Sequence, residues 1–164
     1  MEKRKKAYLV CSSVLGSLLL TTGCSQDKNV SEVEQVIYSI LPADEVVKIE
    51  ETDSEVKIEG EKLKDVKIIL NLDKYSKSII YEKSLEVATN ILSTIDLTLE
   101  NKINNYTILV NSSNLDVYGN SQKVKVLEVN IDKDTVDKIN FEHFDYLNLD
   151  KIAEVKKFKY LTEK

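Results

Sequence analysis

Tryptophan is absent from the chain, and proline, arginine and histidine each occur only once in 164 residues. Each scarcity removes a class of function. Two cysteines, Cys11 and Cys24, are too few for a disulfide scaffold, and with His143 as the lone histidine they cannot build a Cys/His metal cluster. A single arginine, Arg4, leaves no Arg-rich face for nucleic-acid phosphates. Four glycines, of which only Gly60 and Gly119 lie beyond the first 24 residues, leave nothing from which to make a glycine-rich phosphate loop. What is present is ordinary: 42% hydrophobic and 31% charged residues with a formal charge of −5, the balance of one small globular domain.

The first 24 residues depart from that balance. Lys3, Arg4, Lys5 and Lys6 form a dense cationic start, and residues 7–20 follow as a charge-free stretch with Leu9, Val10, Val14, Leu15, Leu18, Leu19 and Leu20. This is the layout of an export signal. A spanning helix needs about 20 apolar residues to cover roughly 30 Å of hydrocarbon. The stretch here is shorter and is diluted by Cys11, Ser12, Ser13 and Ser17. Small residues then lead into a cysteine, Leu20-Thr21-Thr22-Gly23-Cys24, and a polar run follows it.

That sequence resembles the lipobox of bacterial lipoproteins. The resemblance implies cleavage between Gly23 and Cys24, with a diacylglyceryl group on the Cys24 thiol; Thr21 stands where leucine is most usual. It makes residues 1–23 a signal peptide, residues 24–30 a lipidated cysteine and polar tether, and residues 31–164 one exported domain. The implied location is the extracytoplasmic face of the cell membrane, held by palmitate-like acyl chains. A single chain anchors only marginally, whereas two give lasting attachment. Loss of residues 1–23 removes four cationic side chains and one acidic one, leaving 19 Lys against 27 Asp and Glu, or −8. Such a domain is repelled by nucleic-acid phosphates, so no nucleic-acid partner is expected.

Hydrophobic periodicity organises the rest. Residues 31–41 place Val33, Val36, Ile37, Ile40 and Leu41 at helical offsets, with Ser31 as N-cap and Pro42 as the stop. Val47 and Ile49, then Val56 and Ile58, alternate with charged residues around 51–54, which reads as a hairpin. A third strand is expected near residues 66–72, after a loop at Gly60. Residues 76–99 carry the longest helical stripe. Residues 106–110 and 123–131 read as a second hairpin joined by a long polar loop, 111–122. Val124 and Val126 share one parity while Leu127, Val129 and Ile131 share the other, which calls for a bulge or a doubly buried end. Residues 132–140 and 149–158 suit short helices, with an aromatic cover from Phe141, Phe144, Tyr146, Phe158 and Tyr160. The expected fold is α+β: a two-layer sandwich in which one long helix packs a mostly antiparallel sheet, with short N- and C-terminal helices.

A second resemblance lies in the stretch from Leu115-Asp116-Val117-Tyr118-Gly119-Asn120 through the following strand to Lys138-Ile139-Asn140-Phe141. It is similar to the carboxy-terminal half of small uncharacterised lipoproteins of Gram-positive bacteria. The match consists of turn and packing residues over about a third of the chain, and it implies no activity.

Chemistry-bearing patterns are sparse. His143 between Glu142 and Phe144 lacks the nucleophile elbow that would give it work, and reads as a surface histidine. Asp132, Asp134 and Asp137 fail the calcium-loop pattern, because Val136, Asp137 and His143 stand where a ligand, a glycine and a bidentate glutamate are required. They read instead as helix N-terminal residues. No metal site, cofactor or catalytic residue is assigned. Residues 44–61 hold eight acids against Lys48 and Lys57, the pattern of a solvated, charged sheet edge. The polar loop, with Asn114, Asp116, Tyr118 and Asn120, is the candidate recognition surface. The expectation is a non-catalytic binding module whose partner is a protein, an envelope polymer or a small ligand; the alternative is an envelope hydrolase working through Asp and Glu carboxylates.

Overall fold

The computed structural model describes residues 30–99, 102–115 and 118–162. Helix α1, Glu32–Ile40, starts where a serine can cap it: the Ser31 hydroxyl accepts from the Glu34 amide at 3.1 Å, and the Glu34 carboxylate accepts from the Ser31 amide at 3.2 Å. Strand β1, Val46–Ile58, continues through the residues expected to turn at 51–54, its pairing with β2 shifting register between Asp53 and Lys57. The turn comes at Glu59 and Gly60, both left-handed with φ of 52° and 91°, so β2, Glu61–Asn71, pairs back on β1 through a tight two-residue connection. The expected loop at Gly60 is therefore the hairpin turn itself. A turn conformation with positive φ at both central positions outweighs the weaker polar signal at 51–54.

Helix α2, Ile80–Thr98, carries the chain across to β3, Ile103–Leu115, which lies parallel to β2. A parallel pair needs such a crossover, and the helix supplies it. Strand β4, Ser121–Asp132, returns antiparallel, and short helices α3, Lys133–Val136, and α4, Leu149–Ile152, follow. The segment expected to be helical through residue 158 is only helical in α4. It then forms strand β5, Glu154–Lys157, on the far edge of β4, before α5, Lys159–Thr162. The sheet order is β1-β2-β3-β4-β5, with β2 and β3 its one parallel pair among the described residues.

The parity conflict in β4 resolves as a bulge. Val110 pairs with Leu127 but the next residue, Asn111, pairs with Lys125, so Val126 is the extra residue. Val126, Leu127 and Val129 are thereby all fully buried.

One face of the sheet makes the core. Val66, Ile68 and Leu70 of β2 stand in register beside Tyr106, Ile108 and Val110 of β3, and these beside Ile131, Val129 and Leu127 of β4. The cover is shared: α1 contributes Val33, Val36 and Ile37, α2 contributes Leu85, Ala88, Ile91, Leu92 and Ile95, and α3 and α4 add Val136 and Leu149. The expectation of a sheet packed by one long helix is corrected accordingly, because α2 cannot span five strands and the flanking helices bring their own apolar residues. The architecture is α+β, a five-stranded, mostly antiparallel sheet with several helices. No described helix is long and apolar enough to cross a membrane.

Candidate functional site

Gly23 and Cys24, the expected cleavage and lipidation residues, and Asp116 lie outside the described residues. The remaining members of the candidate recognition loop fall on two parts of the β3–β4 hairpin, its ladder and its tip. The loop is shorter than expected because β3 and β4 zip past it, pairing Asn114 with Gln122 and Leu115 with Ser121. Asn114 is therefore a strand residue. Tyr118, Gly119 and Asn120 stay in the hairpin tip, where Gly119 takes φ 82° and the Tyr118 side chain is 87% exposed. Strong strand pairing through polar Asn111, Ser112 and Ser113 defeated the composition signal that marked them as loop.

Asn114 instead borders a groove of about 330 Å³ with Val124, Lys125, Phe158, Lys159 and Tyr160. The ammonium groups of Lys125 and Lys156 lie 5.5 and 5.1 Å from the centre of the Phe158 ring, and that of Lys77 lies 5.2 Å from the Tyr160 ring. These are cation–π distances. Sequence reasoning assigned Phe158 and Tyr160 to an aromatic cover and missed their lysines. The interleaved run Lys156-Lys157-Phe158-Lys159-Tyr160 was the available signal. Nearby, Lys157 sits 4.2 Å from the Tyr81 ring, whose hydroxyl donates to Asp150 at 2.7 Å. Burial, reinforced by that carboxylate against the pull of Lys157, raises the Tyr81 phenol above its usual range.

A second cleft, of about 470 Å³, includes Asp65, Asn105, Thr107, Asn130 and Glu154, contributed by four strands. Asp65 Oδ1 accepts from Asn104 Nδ2 at 3.0 Å and Asn105 Nδ2 at 3.1 Å, and Thr107 Oγ1 donates to Asn130 Oδ1 at 2.9 Å. Its acids are not a convergent desolvated pair. Asp65 is occupied by two amides, Glu154 is exposed, and Asp132, also exposed, caps α3 by accepting from the Thr135 amide at 2.7 Å. The helix N-terminal reading holds for Asp132 and for exposed Asp134 in the first turn of α3, but Asp137 stands at its C-terminal cap, where it pairs with Lys133 at 2.5 Å. Among the described residues no three His, Cys, Asp or Glu side chains gather as metal ligands.

His143 borders an apolar hollow of about 350 Å³ with Ile139, Phe144 and Ile152. Its ring is exposed and makes no hydrogen bond or ion pair among the described residues, while its amide donates to Asn140 O in a turn.

Most of the acidic stretch 44–61 lies on the edge strand β1, and three of its acids, Glu45, Glu50 and Asp53, pair with lysines. Lys48 hydrogen-bonds Glu50 and, with Lys67, holds that carboxyl below the usual range. Lys64 does the same to Asp53, helped by Lys62. Glu45, largely buried, pairs with Lys74. Val47, Val56 and Ile58 of this strand are exposed, so the alternation there is a feature of an edge and not of a buried face. The chain matches no protein-family model, no curated protein and no solved structure.

Proposed function

We propose that the protein is a lipid-anchored extracytoplasmic protein of a bacterial cell membrane whose domain acts as a binding module. The observation that carries the address is the order cationic start, apolar stretch, small residues, Cys24. Acyl chains on that sulfur hold the domain, so the fold needs no membrane-binding surface of its own. We read the domain as two layers, helices on one side of the sheet and an open polar face on the other.

Binding is favoured over hydrolysis by the state of the acids. A carboxylate-based hydrolase needs a pair of acids in which at least one is desolvated enough to carry a proton at neutral pH. In the 470 Å³ cleft the acids are exposed or committed to structural hydrogen bonds. The groove at Phe158 offers instead apolar, aromatic and cationic groups, the composition of a recognition surface.

Intact mass of the membrane fraction tests the address. The expected species begins at Cys24 and carries the added mass of a diacylglyceryl group, and Cys24→Ala releases or misprocesses the protein. An unchanged mass together with membrane retention of Cys24→Ala refutes it.

A further inference from the structure

We propose that the groove between the β3–β4 hairpin and residues 158–160 receives an extended acidic polypeptide segment, at the end of the domain away from the membrane. The placement rests on the lipid-anchor reading; the binding does not. Three observations converge on it.

The first is charge. Lys125 and Lys156 bring two ammonium groups to one ring, Phe158, in a chain of net charge −5. Neither forms a salt bridge among the described residues, whereas Lys48, Lys64, Lys67, Lys74 and Lys83 all do. Two like charges brought to one ring with neither in a salt bridge invite an anion, although Glu128 stands opposite Lys156 in the ladder. The ring face already carries the lysines, so a neutral sugar would have to displace them.

The second is the sheet edge. Strand β5 pairs with β4 only over residues 127–130, and the Phe158 amide then donates to Val126 O at 3.1 Å. Residues 121–125 of β4 have β3 as their only strand neighbour among the described residues. Beyond α5, which packs against β4 directly after β5, an extended segment can take main-chain hydrogen bonds from the remaining edge of β4. Lys123, which also lies near Asp73, and Lys125 are two residues apart and face the same way, roughly 7 Å from each other. Carboxylates on alternate residues of an added strand repeat at that distance. The main-chain hydrogen bonds that the edge offers, which a phosphate polymer cannot take, favour a polypeptide. Lysines also discourage neutral or basic strands from pairing at an edge, which makes the edge selective.

The third is position. The described chain enters α1 beside the start of β3, where Lys102 Nζ meets Glu32 at 2.5 Å. Asn114, at the groove, is eleven residues further along β3, roughly 36 Å at strand rise. The six residue-to-residue steps from Cys24 to Val30 reach at most about 20 Å. An anchor at Cys24 therefore puts the Lys102 end near the bilayer and leaves the groove facing outward.

The test uses the full chain in non-ionic detergent and a fluorescein-labelled octapeptide of alternating Glu and Thr, read by anisotropy. Saturable binding is expected, weakened at least tenfold in the Lys125→Glu, Lys156→Glu double variant. The same charge change at exposed Lys57 and Lys138 should leave it within twofold, and unfolding midpoints of both double variants should match the parent. Absence of saturable binding, or equal weakening by the two pairs, overturns the site. Displacement by inorganic polyphosphate at lower concentration than by unlabelled peptide overturns the polypeptide assignment. Repeating the measurement on the chain in phosphatidylcholine vesicles tests placement: retained binding supports it, and binding in detergent alone overturns it. Failure of the chain to enter vesicles at all counts against the lipid anchor and leaves the detergent result to decide the groove.

Discussion

Thr89 shows how a single buried atom can be read from its neighbours. In α2 the hydroxyls of Ser84, Thr94 and Thr98 donate to carbonyls four residues back, at 2.6 to 2.8 Å. The Thr89 side chain is buried, and its Oγ1 has no hydrogen-bond partner among the described residues. A buried hydroxyl without a partner costs about 1–3 kcal/mol. Thr89→Val keeps the branched shape and removes the oxygen, so it should stabilise the protein by about 1 kcal/mol. A urea midpoint at or below that of the parent would contradict this. Neither the period of the helix nor its composition could have marked Thr89, because its difference from Thr94 lies in what surrounds it. Ser31, by contrast, was legible as a cap because the serine and Glu34 belong to one local motif.

At the scale of elements, α2 divides into a face that the sheet needs and one it does not. Leu92 is fully buried in the core, while Leu97, five residues on, is 78% exposed. Leu92→Ala should cost about 3 kcal/mol through lost burial and an unfilled cavity. Leu97→Ala should stay within about 0.5 kcal/mol. Comparable losses at both sites in chemical denaturation would mean that α2 packs by another face. The stripe was visible in the sequence because helical periodicity is local. Strand limits were less visible. The run of β1 through residues 51–54 and the zipping of β3 and β4 through residues 111–115 depend on hydrogen bonds to a neighbouring strand. Hairpin pairing turned residues 111–115 and 121–122 of the expected twelve-residue loop into ladder and made Asn114 a strand residue. The bulge at Val126 was foreshadowed by the broken parity, since a strand buried on one face cannot change parity without an extra residue.

For the whole molecule, charge sets a stability window. Glu50 and Asp53 have lowered values through hydrogen bonds and attraction from Lys48 and Lys64. At Asp73 burial pushes upward, but hydrogen bonds from Ser113 and Asn71, with Lys123 nearby, prevail and lower it. A lowered carboxyl contributes stability that is present above the unfolded value, about 4, and is lost as pH falls through the folded value. Lys64 is raised by Asp53, and Lys74 by Glu45, so their contributions are present below about pH 10 and fade as pH climbs through the raised values. Tyr106, raised by burial and then by Asp96 and Asp137, acts in the same direction, because above about pH 10 the unfolded phenol ionises first. The urea midpoint should fall on both sides of the neutral range, below about pH 4 and above about pH 10. A midpoint that rises toward either extreme would contradict the assignment.

The amino-acid sequence alone determined the order of cationic start, apolar stretch and small residues ending at Cys24, the α+β class, the extent of α1, the end of α2, and the parity conflict in β4. Each of these follows from residues close together in the chain, where periodicity, capping and charge order act over a few turns. Only the tertiary structure decided the parallel pairing of β2 with β3, the recruitment of residues 154–157 as a fifth strand, and the meeting of Lys125 with Lys156 on Phe158. Those contacts join residues far apart in sequence, and which of the competing pairings forms is fixed by how the apolar faces close over one another.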